Sequence, residues 1–222
     1  MIRRVTEDRA YSNLALAAEL ANSRLPARDR QLAAELAYGT LRRLLILDRM
    51  LAHASSRTLD KVDPEALALL RLGAYQLAFT RIPAHAAVSE TVDQAGPAHR
   101  GFVNAVLRAV AKPEAQTGIL QEGEGEGDEA ISSRTGLAQW AVAELRQILP
   151  QDEVEAAAAA LAAPADLSLR TNICRIDTEK LEVALRDTGL QVRRGSLHED
   201  VLHVPTTPPA LLPGYEEGWF AV

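Results

Sequence analysis

HRGFVNAVLRAV, residues 99–110, is the stretch that decides how this chain folds. At about 100° per residue, Phe102, Val103, Val106, Leu107 and Val110 fall on one arc, which makes a helix with a buried seam. Beside the arc, Arg100, Asn104 and Arg108 stand in an i, i+4, i+8 row. The same spacing recurs on both sides. DPEALALLRLGAYQLAFT (63–80) opens with Asp63 as N-cap and Pro64 at the first helical position, where a missing N–H costs nothing, and stops at Ile82-Pro83. SNLALAAELANS (12–23), ARDRQLAAELAYGTLRRLLILDRMLAHAS (27–55) and AHAAVSETVDQA (84–95) read as further amphipathic segments. Gly39, inside the longest of them, permits close helix contact. Residues 1–112 are therefore expected to form an all-helical bundle.

Beyond residue 112 the composition changes. QTGILQEGEGEGDEAISS (116–133) is glycine-rich and acidic, without periodic apolar positions, so residues 113–133 read as a mobile acidic linker. Its GEGEG lacks the flanking strand and helix of a phosphate loop and places carboxylates where an anion would sit. Nor do those carboxylates follow calcium-loop spacing. A helical pair follows in TGLAQWAVAELRQIL (135–149) and DEVEAAAAALAAP (152–164). Then DLSLRTNI alternates as a strand, DTEKLEVALRDTG is a helix capped at Asp177 or Thr178 and stopped at Gly189, and LQVRRG and VLHVP are short strands. Residues 134–222 thus combine a helical pair with a small α+β module, and the fold class is mostly α. The proline-rich tail ends on an apolar WFAV without a stop signal, which leads us to expect further chain.

Charge is divided unevenly. The net charge is −6, but residues 1–112 carry 16 Arg and Lys against 11 Asp and Glu, and residues 113–222 carry 8 against 19. A basic first half can attract phosphate within a screened field of roughly 8–10 Å even when the whole is acidic. No apolar run reaches about 18 residues, and MIRRVTEDRAY lacks the apolar core of a signal peptide, so we expect a soluble, cytoplasmic protein without a membrane partner.

Covalent chemistry has no obvious seat. No Ser/His/Asp order, HExxH, Walker loop or strand-linked G-x-G is present. Cys174 has no cysteine or histidine cluster near it and is expected to pack inside a strand. His85 and Glu90, five apart, lie on different sides of a short helix, and His85 reads as a helix-start residue that packs or caps. His198 and His203 flank Glu199-Asp200 and read as a hairpin edge, so no metal is expected. What remains is binding. Arg42 and Arg43, with Arg100 and Arg108, either form a basic face that holds RNA phosphates or lie along apolar neighbours with their heads in water. Asn104 either meets a base edge or sugar, or bonds a backbone group between helices.

RDRQLAAELAYGTLRRLLILDRMLA, ALLRLGAYQLAFTRIPAHAAVSETVD and RGFVNAVLRAV resemble, in order and spacing, the NusB-like domain of the bacterial ribosomal RNA cytosine-C5 methyltransferases, the Sun or Fmu family. LSLRTN, LRDTG and LPGYEEGWFAV resemble the segment leading into that family's methyltransferase domain. The resemblance implies a parent enzyme that methylates C5 of a cytosine of small-subunit ribosomal RNA, using S-adenosylmethionine and cysteine attack at C6. It implies that this chain supplies substrate docking and no catalytic residue, with Arg42, Arg43, Arg100, Asn104 and Arg108 facing RNA and Arg170 and Asn172 near the substrate path. A non-enzymatic NusB-like scaffold of the antitermination kind is the alternative. The sequence departs from the family pattern in three places. MIRRV stands where family members carry a further helix, RTGLAQW keeps only Trp140 of an S-H-P-x-W pattern, and Cys174 matches neither catalytic cysteine.

Overall fold

The computed structural model describes residues 1–21, 23–112 and 125–222. Two compact units divide the chain, Met1–Ala163 and Pro164–Val222.

The first unit opens with α1 (Ile2–Thr6), α2 (Ser12–Ala21), α3 (Ala27–Arg42) and α4 (Leu44–Ala54). It continues through α5 (Pro64–Phe79), α6 (Ala84–Gln94) and α7 (Pro97–Val110). The short α1 occupies the MIRRV stretch. The segment 27–55 forms two helices rather than one, because Arg43 leaves the helical region with φ −99° and ψ 13° and closes α3 as it opens α4. Helix α5 is the axle, packed against α3, α4, α6 and α7. Its start follows from two adjacent residues. Asp63 accepts hydrogen bonds from the Glu65 and Ala66 N–H groups at 2.9 and 3.2 Å, and Pro64 needs no partner. Leu47, Leu51, Leu70, Val103 and Leu107 are wholly buried around it. The arc of the 99–110 stretch is thus the seam that closes the bundle.

Within this core sits a polar spine. Arg71 grips Asp48 with Nε to Oδ1 at 2.7 Å and Nη2 to Oδ2 at 2.8 Å, a fork that satisfies a nearly buried guanidinium. Tyr75 donates its hydroxyl to Glu35 Oε1 at 2.8 Å. Burial, and then the Glu35 carboxylate, push the Tyr75 phenol up to about 12, with Arg42 and Arg43 opposing the shift. An unfolded tyrosine ionises near pH 10 and the folded one two units higher. The contribution is complete below pH 10 and is lost as pH rises through about 12. In urea titrations the wild type should lose more stability across that alkaline window than Tyr75→Phe, and parallel losses would refute the assignment.

Helices α8 (Asp128–Thr135), α9 (Gln139–Ile148) and α10 (Gln151–Ala162) complete the first unit. The linker expected over 113–133 lies outside the described residues at 113–124. From Asp128 it is corrected to helix. Asp128 and Glu129 in the first turn favour a helix start, and Gly136, with φ +81°, ends the helix left-handed. Ile131, Val142, Val154 and Ala158 form this trio's core. Two arginines fasten it. Arg134 makes a two-pronged bond to Glu155 at 2.7 Å, and Arg146 reaches Asp128 and the Glu126 carbonyl, both at 2.7 Å.

In the second unit, β1 (Leu167–Thr171), α11 (Thr178–Asp187), β2 (Arg193–Arg194), β3 (Val201–Val204) and β4 (Phe220–Ala221) build a four-stranded antiparallel sheet in the order β2-β3-β1-β4. Leu169 and Leu202 on the sheet and Leu181 and Leu185 on α11 share one buried cluster, so the helix covers one face. Glu182, nearly buried on α11, is held by Arg186 at 2.5 Å and Arg194 at 2.8 Å. The expected α+β module is present, with β4 as an unforeseen addition. Cys174 corrects the expectation of a packed strand residue. Strand β1 stops at Thr171, and Arg175 and Ile176 both return their N–H groups to the Asn172 carbonyl, so Cys174 lies exposed in a turn.

Among the described residues no helix is long and apolar enough to cross a membrane, and no group of His, Cys, Asp and Glu could hold a metal ion.

Candidate nucleic-acid interface

Helices α6 and α7 are joined by two residues and run antiparallel. Between them lies a groove of about 400 Å³. Val88 and Val92 of α6 form its apolar floor, and its polar lining comes from two rows of side chains. His85, Ser89 and Asp93 follow one another at i, i+4 and i+8 along α6. Asn104 and Arg108 face them from α7, also four apart. The antiparallel course sets Arg108 toward the His85 end and Asn104 toward the Asp93 end.

The structure separates the candidate arginines by what already occupies them. Arg100 and Arg108 are exposed, and neither has an ion pair or side-chain hydrogen bond among the described residues. Asn104 is half-buried, and its amide has no hydrogen bond among the described residues. Arg43 is committed elsewhere. Its guanidinium lies 5.4 Å from the centre of the Phe79 ring and donates to the Thr135 carbonyl at 3.4 Å, joining α5 to the end of α8. Arg42, half-buried beside it, acts on the same Tyr75 environment.

At the far end of α7, Arg57 lies 5.1 Å from the centre of the Phe102 ring, two residues along from Arg100. His99 approaches the capping Asp63 at 3.8 Å. Arg57, Ser89 and Asp93 were not singled out by sequence reasoning, and His85 was read only as a packing or capping residue. The i, i+4, i+8 row of His85, Ser89 and Asp93 was visible in principle. The Arg57–Phe102 contact joins positions that no spacing rule connects.

In the second unit, the sheet face opposite α11 carries Ser168, Arg170, Arg193 and His203. Cross-strand pairing places Arg193, His203 and Ser168 in one row and Arg170 beside Val201 and Ala221 in the next. Ser168 Oγ and His203 Nδ1 are 3.0 Å apart, and Arg193 pairs with Asp166 at 2.6 Å. Arg170 is exposed and has no such partner among the described residues. Asn172 is different. Its side-chain amide donates to the Gly218 carbonyl at 3.0 Å and its backbone N–H to the Trp219 carbonyl at 2.8 Å, so it ties the end of β1 to the 214–219 turn.

This is a helical bundle of the NusB type followed by a ferredoxin-like sheet with one helix-covered face. The chain belongs to the NusB family, whose model matches residues 1–112. A second model, described as Methyltr_RsmF/B-like, ferredoxin-like domain, matches residues 137–209. The ribosomal RNA small subunit methyltransferase B of Pseudomonas putida is 31% identical over 98% of this chain and 49% of its own length. The protein of the same name from Vibrio cholerae is 31% identical over 95% of this chain and 48% of its own. A Mycobacterium tuberculosis protein with methyltransferase in its name is 49% identical over 50% of this chain and 25% of its own. The chain therefore spans between a quarter and about half of the length of these curated relatives. The crystal structure of PH0851 shares the fold, with a TM-score of 0.68 at 17% identity over 100% of this chain and 50% of that one.

Proposed function

We propose that this chain is the RNA-docking region of an S-adenosylmethionine-dependent small-subunit ribosomal RNA cytosine-C5 methyltransferase, working in the cytoplasm. One observation carries the reading. A NusB domain and an RsmF/B-like ferredoxin domain stand in one chain, and relatives named for small-subunit ribosomal RNA methylation match across both. A free-standing antitermination-type scaffold would have no use for the second domain. The domain limits we propose are 1–112 for RNA binding and 134–222 for the approach to a catalytic part.

Of the candidate arginines in the first unit, Arg100 and Arg108 are those whose charge is available to phosphate. With Asn104 they form the RNA edge of α7, and Arg170 extends recognition to the open sheet face. Few aromatic side chains stand on these surfaces, so the chain reads backbone and shape more than base identity. Arg42 and Arg43 contribute field from the interior side, and Asn172 shapes the turn beside Arg170.

The test is salt-dependent binding of a small-subunit ribosomal RNA fragment. Each phosphate contact contributes roughly 0.7 to the slope of log affinity against log salt on single-stranded RNA, so Arg100→Ala with Arg108→Ala should flatten it by about 1.4. An unchanged slope would remove α7 from the interface.

A further inference from the structure

The α6–α7 groove has a chemical polarity that a general basic face would lack. At one end Arg108, His85 and Ser89 converge on hydrogen-bond donation. At the other end Asp93 presents a carboxylate, an acceptor only, across from the half-buried Asn104 amide, which both donates and accepts. Val88 and Val92 lie between. A surface built only to hold a phosphate backbone would place no carboxylate there, because it repels every phosphate near it.

We propose that the groove seats a single ribonucleotide of the bound RNA, its phosphate held by Arg108, His85 and Ser89 and its ribose 2′-hydroxyl donated to Asp93. The proposal rests on the RNA-docking reading and sharpens it from a charged edge to a defined subsite. The volume of about 400 Å³ lies within the roughly 300–1,000 Å³ of small-ligand sites. Val88 and Val92 offer an apolar floor to the flat face of a sugar or base, and Asn104 can bond either partner of the ribose edge. The 2′-hydroxyl is the group that separates RNA from DNA, and a carboxylate acceptor at that position makes the separation directional. Asp93 therefore does two things at once. It weakens attraction for any polyanion and restores part of that loss for a chain that carries a 2′-hydroxyl.

These opposed effects give the test. The full chain is titrated by fluorescence anisotropy with a short labelled single-stranded RNA and with DNA of the same sequence. Arg108→Ala should lower RNA affinity roughly tenfold, and His85→Ala should lower it less. Arg28→Ala, an equal loss of charge at the exposed start of α3, should have a smaller effect than Arg108→Ala. Asp93→Ala should bind DNA more tightly than the wild type while losing its preference for RNA, and Asp93→Asn, which keeps an acceptor, should recover part of that preference. If Asp93→Ala strengthens both nucleic acids equally, the carboxylate is only a surface charge and the subsite is wrong, although RNA docking survives. If the wild type binds neither nucleic acid, or a protein partner occupies the groove in their place, the RNA-docking reading falls with it. All the substituted residues are at least partly solvent-accessible, and unchanged far-ultraviolet circular dichroism establishes that each variant is folded.

Discussion

Gly39→Ala is expected to destabilise the bundle by about 2 kcal/mol, although alanine is by itself the better helix former. A Cβ at position 39 would lie 2.0 Å from the Tyr75 hydroxyl oxygen and 2.1 Å from the ring carbon that bears it. The ring must move, and its hydrogen bond to Glu35 goes with it. Overpacking costs roughly 1–3 kcal/mol and the lost hydrogen bond about 1, against about 1 kcal/mol recovered in helix propensity. The clash has a specific signature. Tyr75→Leu should cost much less in the Gly39→Ala background than in the wild type, because the two residues share one volume. Urea denaturation of the four proteins measures this coupling, and additive effects would place the cost of Gly39→Ala elsewhere.

The second large effect is at Leu107. Its side chain is wholly buried between α5, α6 and α7, and a Cβ built on Gly73 would meet its two methyl carbons at 2.7 and 2.9 Å. Glycine at 73 and leucine at 107 are thus one packing decision, the small residue making room for the large one. Leu107→Ala should cost about 2–5 kcal/mol, a substantial share of the roughly 5–15 kcal/mol that holds a domain together. Leu107→Met, of similar volume, should cost less than about 1.5 kcal/mol. Because Arg108 is the next residue in the chain, RNA affinity in the alanine variant should track the folded fraction. A stable Leu107→Ala protein would mean that the helical seam does not close the bundle.

The elements that were legible in the sequence are those whose cause lies within a few residues. Asp63-Pro64 specified a helix start and Gly189 a helix stop, each through contacts inside one turn, and the 99–110 arc specified a buried face through its spacing along one helix. The break at Arg43 carried no such mark, since neither glycine nor proline stands there. Asp128 and Glu129 read in the sequence as part of a solvated acidic linker, although carboxylates in a first helical turn assist its formation. Strand β4 is two residues long and exists because Phe220 and Ala221 pair with Thr171 and Arg170, some fifty positions away.

The candidate site divides along the same line. Arg100, Asn104 and Arg108 were found because they share a helix face. The engagement of Arg43 with Phe79 and with Thr135, 92 residues distant, could not be found from spacing. Asn172 was assigned by resemblance, and its bond to Gly218 depends on a turn that only the folded sheet brings near. Asp93 was passed over because a lone carboxylate on an amphipathic helix has no meaning until the opposite wall is known.

One further consequence lies at the margin of the sheet. Strands β2 and β4, its two borders, are each two residues long, and β2 consists of Arg193 and Arg194. A border so brief offers a neighbouring molecule only a short row of free amides and carbonyls to continue. The second unit therefore carries its own guard against stacking strand to strand, so its sheet remains a discrete module even where many copies of the protein are crowded together.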